Sequence, residues 1–197
     1  HLFDRISIDE SYSAGQYMED ARRICAEISG KGAVPIVTGG TGLYLRALLS
    51  GMFEGPARSD GIRERIIGIA EKKGNEFLHR WLASRDPEAA AGIKPGDRIR
   101  LVRALEVQIA TGKPISSLRG REKPLSGYRI VKIGLNPERA LLYDRINRRV
   151  ATMFDSGLLK ETQALLERGY NASCKGFEAL GYRYAVRMLQ GDMGETE

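Results

Sequence analysis

The stretch Val34 to Leu49, VPIVTGGTGLYLRALL, sets Gly39, Gly40 and Gly42 around a threonine where an apolar run gives way to an amphipathic helix pattern. Glycine lets a backbone turn sharply and come close to a ligand. Thr41 falls at the entrance of the predicted helix, where its hydroxyl and the unpaired amides of the first turn favour an anion. The chemistry this points to is the holding of a phosphate. Yet the G-x-x-x-x-G-K-S/T loop, whose lysine reaches the phosphates, occurs nowhere in the chain. On spacing alone, a Gly-Gly-Thr turn between strand and helix is more often structural than ligand-holding.

Arginine supplies the other candidates. In GDRIRLVRALEV, Arg100 and Arg103 stand three apart and so share a helix face, with Arg98 nearby. Asp97 is placed to cap that helix, and Leu101, Leu105 and Ile109 give it an apolar side. These arginines would grip phosphates or stack on bases; the competing reading is a solvated face on which Arg103 pairs with Glu106. In YDRINRRVATMF, Arg145 and Arg149 repel mildly at i, i+4, a cost that a bound anion would offset. Here the alternative is a surface ladder in which Asp144 pairs with Arg148. Tyr182 beside Arg183 could stack on a base, though a buried tyrosine and an exposed arginine fit equally well. The histidines, His1 and His79, point to neither a metal nor a triad, and His79 among Phe77, Leu78 and Trp81 reads as structural.

The elements that must position these groups are mostly helices. A serine, Ser11 or Ser13, starts one that carries Tyr17, Ile24 and Ile28 and closes at Gly30 or Gly32. AVPIV reads as a buried parallel strand, and TGLYLRALLSG as the next helix, stopped at Gly51. After the Gly/Pro-rich FEGPARSDG, helices are predicted over GIRERIIGIAEKKG, NEFLHRWLASR, DPEAAAGI and DRIRLVRALEVQIATGKP. YRIVKIGL is the second predicted strand, and three more helices end the chain. Helices around strands make the expected class α/β, with a helical interruption. Two strands do not make an independently stable sheet, so further strands are expected before His1.

Composition bounds what such a chain can be. With 197 residues, 42% hydrophobic and 28% charged, it can bury a real core as a soluble globular protein. No apolar run reaches the length of a membrane span, and the opening residues are not a signal peptide. Two cysteines, Cys25 and Cys174, fit a reducing cytoplasm better than a disulfide framework. The net charge of +6 is uneven: residues 92–150 hold fourteen Lys/Arg against five Asp/Glu, and the remainder is net acidic. Ten of those fourteen are arginine, whose planar fork suits phosphate. Nucleic acid or pyrophosphate is the partner this implies.

Read jointly, the pieces are more specific. HLFD, SYSAGQYMEDA, PIVTGGTGLYLRALLSG, DRIRLVRALEVQIATGKPIS, YDRINRRVATMFDSGL and EALGYR stand in the order found in tRNA dimethylallyltransferases, and the chain resembles that family over essentially its whole length. The resemblance implies transfer of a dimethylallyl group from dimethylallyl pyrophosphate to the exocyclic amine of the adenosine 3′ of the anticodon. It implies a P-loop-NTPase-like three-layer α/β core, incomplete in this chain. Residues 1–57 and 127–197 would belong to that core, and residues 58–126 would form an inserted helical anticodon-binding domain. Mg2+ is the implied cofactor, held with a phosphate loop expected before His1 together with the aspartate that takes the amine proton. No metal ligand is expected in this chain, which by itself is expected to be inactive. The partners are the tRNA anticodon stem-loop and the prenyl donor, with no membrane, and a cytoplasmic monomer is expected.

Carried over residue by residue, Thr41 matches the family threonine near the flipped adenosine, with Gly39 and Gly40 shaping the channel. Arg149 matches an arginine at the donor pyrophosphate. Arg63 matches a tRNA-contacting arginine; Ile99, Arg100, Leu101, Val102 and Arg103 match a tRNA-contacting stretch; Tyr182 and Arg183 match a tRNA-contacting loop. The chain departs from the family at Lys94 and Gly96, which replace a histidine and an asparagine, and at Glu178 and Tyr184. Adenylate prenylation and a non-catalytic tRNA-binding fragment are the alternatives; a small-molecule kinase would leave RALEV…TGKP and YDRINRR unexplained.

Overall fold

The computed structural model describes residues 1–53, 55–56, 58–118, 120 and 122–192. The chain divides into two compact units, one of residues Ile36–Ser126 and one of His1–Pro35 with Gly127–Glu197.

The middle unit, Ile36–Ser126, is helical. Its elements are α2 (Gly42–Ser50), α3 (Asp60–Lys73), α4 (Asn75–Arg85), α5 (Pro87–Ala91) and α6 (Arg98–Thr111), followed by a short 3-10 turn at Ser116–Leu118. Apolar residues at i, i+4 build its core: Ile66 and Ala70 of α3, Leu78 and Leu82 of α4, Leu101 and Leu105 of α6. Trp81, Phe77 and Phe53 pack against this cluster from its edge. The joints are fixed by polar groups. Asp86 is buried and uses both carboxylate oxygens, accepting from Ala89 N at 3.0 Å to cap α5 and from Ser116 N at 3.0 Å. Asp97 accepts from Arg100 N at 3.1 Å to cap α6, and Gly112 ends that helix in the left-handed region. His79 donates from Nε2 to the Ala90 carbonyl at 3.1 Å, the structural role read from its neighbours. Where the chain leaves the unit it returns to the end of α2: Leu125 N donates to Leu49 O at 2.9 Å. A Cβ at Gly51 would stand 2.5 Å from the Lys123 carbonyl oxygen, so glycine is required there by approach as well as by its φ of 82°.

The other unit carries α1 (Ala14–Gly30), α7 (Arg139–Asp155), α8 (Leu158–Glu167), a 3-10 turn at Lys175–Glu178 and α9 (Tyr182–Leu189). A reciprocal capping box between Ser13 and Gln16 starts α1, settling the cap on Ser13. Leu158 and Thr162 of α8, Phe177, and Ala185 and Val186 of α9 are buried. Gly176 N donates to Ile8 O at 3.0 Å, which ties the start of the chain to the turn before α9. Helix α7 is different in kind, because none of its residues is buried.

The expected α/β class is met only in its helices. Among the described residues there is no strand: AVPIV and YRIVKIGL take no regular structure and pair with no ladder. A strand exists only when neighbours take its N–H and C=O groups and cover its faces. Ile36 at 82% exposed, Ile133 at 84% and Leu135 at 92% show that no such cover is present. Their apolar runs carry strand character without the sheet that would use it.

Candidate nucleic-acid interface

Helix α6 sets the arginines of the middle unit. Its turn of 3.6 residues sends Leu101 and Val102 into the core and leaves Ile99 79% exposed. Within the expected tRNA-contacting stretch, Leu101 and Val102 are thus buried, whereas Ile99, Arg100 and part of Arg103 are exposed. Arg100 reaches back to Asp97 at 3.3 Å in an exposed pair, and Arg98 donates from Nε to Asn75 Oδ1 at 2.8 Å.

Arg103 and Arg63 meet on one carboxylate. Glu106, fully buried, accepts from Arg103 Nη1 at 2.8 Å, from Arg63 Nε at 3.0 Å and from the Ser59 backbone N–H at 2.8 Å. Burial alone would push this carboxyl up; the two guanidiniums and the Ser59 amide outweigh it and hold Glu106 below the usual carboxylate range. Arg103 also donates from Nη2 to the Pro56 carbonyl at 3.1 Å and lies over the Phe53 ring. The pair between Arg103 and Glu106 therefore exists, but at a buried carboxylate rather than on a solvated face. Its second arginine comes from 43 residues away, which no local spacing reveals. The legible signal was a glutamate on an otherwise apolar helix face.

Thr41 caps α2 by position only; its hydroxyl makes no capping bond and the residue is exposed. Gly39 and Gly40 are the residues expected to let the backbone turn and come close to a ligand. Neither has a positive φ, and a Cβ on either would meet nothing within 4 Å. Among the described residues, this turn borders open space.

In the other unit, Arg149 and Arg145 are exposed on α7, and neither side chain has a partner among the described residues. Arg148 pairs with Asp144, as the competing reading of this helix anticipated. Tyr182 donates to Glu161 Oε1 at 2.9 Å and is half-buried, while Arg183 is exposed. Burial, with Glu161 beside it, pushes the Tyr182 hydroxyl above the ordinary phenol range. So Tyr182 is committed to the protein through its oxygen, and Arg183 is not.

Comparison with known proteins decides the family: the model described as IPP transferase matches residues 1–197. The chain belongs to the IPP transferase family. The tRNA dimethylallyltransferase of Koribacter versatilis is 48% identical over 98% of this chain and 63% of its own length. That of Solibacter usitatus is 44% identical over 100% of this chain and 64% of its own. The chain thus spans slightly under two thirds of the curated relatives it matches. A tRNA isopentenylpyrophosphate transferase from Bacillus halodurans, solved at full length, covers the whole chain with a TM-score of 0.61 at 36% identity. A eukaryotic dimethylallyltransferase solved while acting on tRNA reaches a TM-score of 0.73 at 22% identity, which speaks for the fold alone. Among the described residues of this IPP transferase chain, no group of three or more His, Cys, Asp or Glu is placed to hold a metal ion. Nor is any helix among them long and apolar enough to cross a membrane.

Proposed function

We propose that this IPP transferase chain serves a tRNA dimethylallyltransferase. In that reaction the exocyclic nitrogen of the adenosine 3′ of the anticodon attacks the first carbon of dimethylallyl pyrophosphate. The carbon–oxygen bond breaks, pyrophosphate leaves with the electron pair, and the amine gives up one proton. The observation that carries the reading is the family match over residues 1–197. Arg149, exposed and without a side-chain partner among the described residues, supports its assigned part, offsetting the charge that develops on the departing pyrophosphate. Thr41, with the open turn at Gly39 and Gly40, takes the acceptor side, where an extruded base is received. Arg63, Ile99, Arg100, Arg103, Tyr182 and Arg183 take the RNA.

The wider frame belongs to the same proposal. Segments 33–37 and 128–135, which form no ladder in this structure, would be strands of a P-loop-NTPase-like core that carries residues 58–126 as a helical tRNA-binding insertion. Mg2+ would neutralise pyrophosphate charge when bound; the described residues do not by themselves form a place for it, and no step here runs through it. A cytoplasmic, monomeric enzyme fits this role. The test uses the protein expressed from its complete coding sequence, given dimethylallyl pyrophosphate with either unmodified tRNA or AMP. A prenylated adenosine next to the anticodon, found by nuclease digestion and mass spectrometry, is the expected product. Prenylated AMP with unchanged tRNA would overturn the tRNA assignment in favour of adenylate prenylation.

A further inference from the structure

The junction at Glu106 is unusual chemistry for a helix face that otherwise buries Leu101, Val102, Ala104, Leu105 and Val107. A carboxylate taken out of water there is tolerated only if its lone pairs are filled, and three donors fill them. The donors come from two places. Arg103 is one turn back on α6; Ser59 and Arg63 belong to the entry and first turn of α3. Two guanidiniums against one carboxylate leave the cluster with a net positive charge. That charge is not spread evenly. Arg103 is engaged at both terminal nitrogens, by Glu106 and by the Pro56 carbonyl. Arg63 is engaged only through Nε, and its two terminal nitrogens make no hydrogen bond among the described residues. Its side chain is 24% exposed, so solvent reaches it. Two other arginines of this unit are already countered, Arg58 by Asp60 at 2.6 Å and Arg100 by Asp97 at 3.3 Å.

We infer that Glu106 is a positioning residue for RNA: by gripping Arg63 through Nε it holds the terminal edge of that guanidinium ready for a backbone phosphate. The inference rests on the proposed tRNA reading and deepens it. An arginine free in solvent must give up side-chain entropy when it meets a phosphate; one held along its Nε edge has already done so. The terminal pair of nitrogens then matches two phosphate oxygens at once.

This makes an expectation opposite to simple electrostatics. Glu106→Gln removes a negative charge close to the RNA, so a charge-only account has binding tighten or stay level. The positioning account has it weaken, because a neutral amide grips a guanidinium poorly. The measurement is binding of an unmodified anticodon stem-loop RNA to the full chain across a salt series. Wild-type protein should bind, Glu106→Gln should bind roughly tenfold more weakly, and Arg63→Ala should lose about as much. The double variant should lose little more than either alone, since both act on one contact. Should Glu106→Gln fail to fold, Arg63→Lys carries the test: it keeps the charge, lacks the Nε grip, and should bind as weakly as Arg63→Ala. If wild-type protein binds and Arg63→Lys, or a folded Glu106→Gln, binds as tightly, the positioning role is overturned while the tRNA reading stands. If wild-type protein does not bind the stem-loop, the tRNA reading of this surface falls first.

Discussion

Arg149 and Arg100 are both exposed arginines on helices, and the proposed function gives them different work. Arg149 has no side-chain partner among the described residues, whereas Arg100 already shares its charge with Asp97 at 3.3 Å. In the complete enzyme, Arg149→Ala should lower kcat more than it weakens tRNA binding, because charge on a leaving group develops only at the transition state. Arg100→Ala should mainly weaken tRNA binding and reduce the salt slope by about one. Steady-state kinetics beside filter binding separates the two, and a reversed pattern would exchange the roles. Glu106 gives a third expectation, about pH. Its folded carboxyl lies below its ordinary value, so its contribution to stability is whole above the unfolded value of about 4.3. That contribution is lost as pH falls further, through the lowered folded value. Acid unfolding followed by circular dichroism should therefore be shallower for Glu106→Gln than for wild type. Glu106→Ala, which strands Arg63 and Arg103, should cost about 3–5 kcal/mol at neutral pH.

At the scale of elements, the helices follow from signals that are local, which is why they could be read from the chain. Ser13 and Gln16, Asp97, Gly51 and Gly112 each start or stop a helix through a bond or a φ belonging to residues within one turn. The strands failed because a strand is not a local object: AVPIV and YRIVKIGL have the composition, and only a neighbouring backbone could make them a sheet. Burial was half legible for the same reason. Leu101 and Leu105 enter the core as the periodicity requires, but Ile109, on the same predicted side, is 49% exposed near the end of α6. Glu106 shows the limit best, since pairing with Arg103 was readable and convergence with Arg63 was not. The start of α9 offers a test of local geometry. Gly181 has a φ of 95°, and a Cβ there would come within 2.9 Å of Met153 Cε. Gly181→Ala should lower stability by about 1 kcal/mol or more, read as a drop in Tm, with backbone strain as the larger cause. Leu105→Ala, which empties a fully buried site in the middle unit, should cost about 2–5 kcal/mol.

At the scale of the whole molecule, the two units differ in how they hold themselves together. The middle unit has a continuous apolar cluster drawn from α3, α4, α5 and α6. Helix α7, in the other unit, has no fully buried residue and only Met153 half-buried, although Leu142, Ile146 and Val150 give it an apolar stripe. A 17-residue helix with no fully buried residue is marginal in water, since most helical stability in proteins comes from a buried face. Opening is expected to be local there and global in α6. Hydrogen exchange followed by mass spectrometry should therefore find the amides of Leu101 to Gln108 the slowest in the chain. The amides of Leu142 to Phe154 should exchange orders of magnitude faster, close to an unprotected peptide. The comparison is internal to one sample, so differences in solution conditions cancel. Equal protection of α6 and α7 would mean that something covers the stripe of α7 in solution, and Arg149, on that helix, would then have to be read with that cover in place.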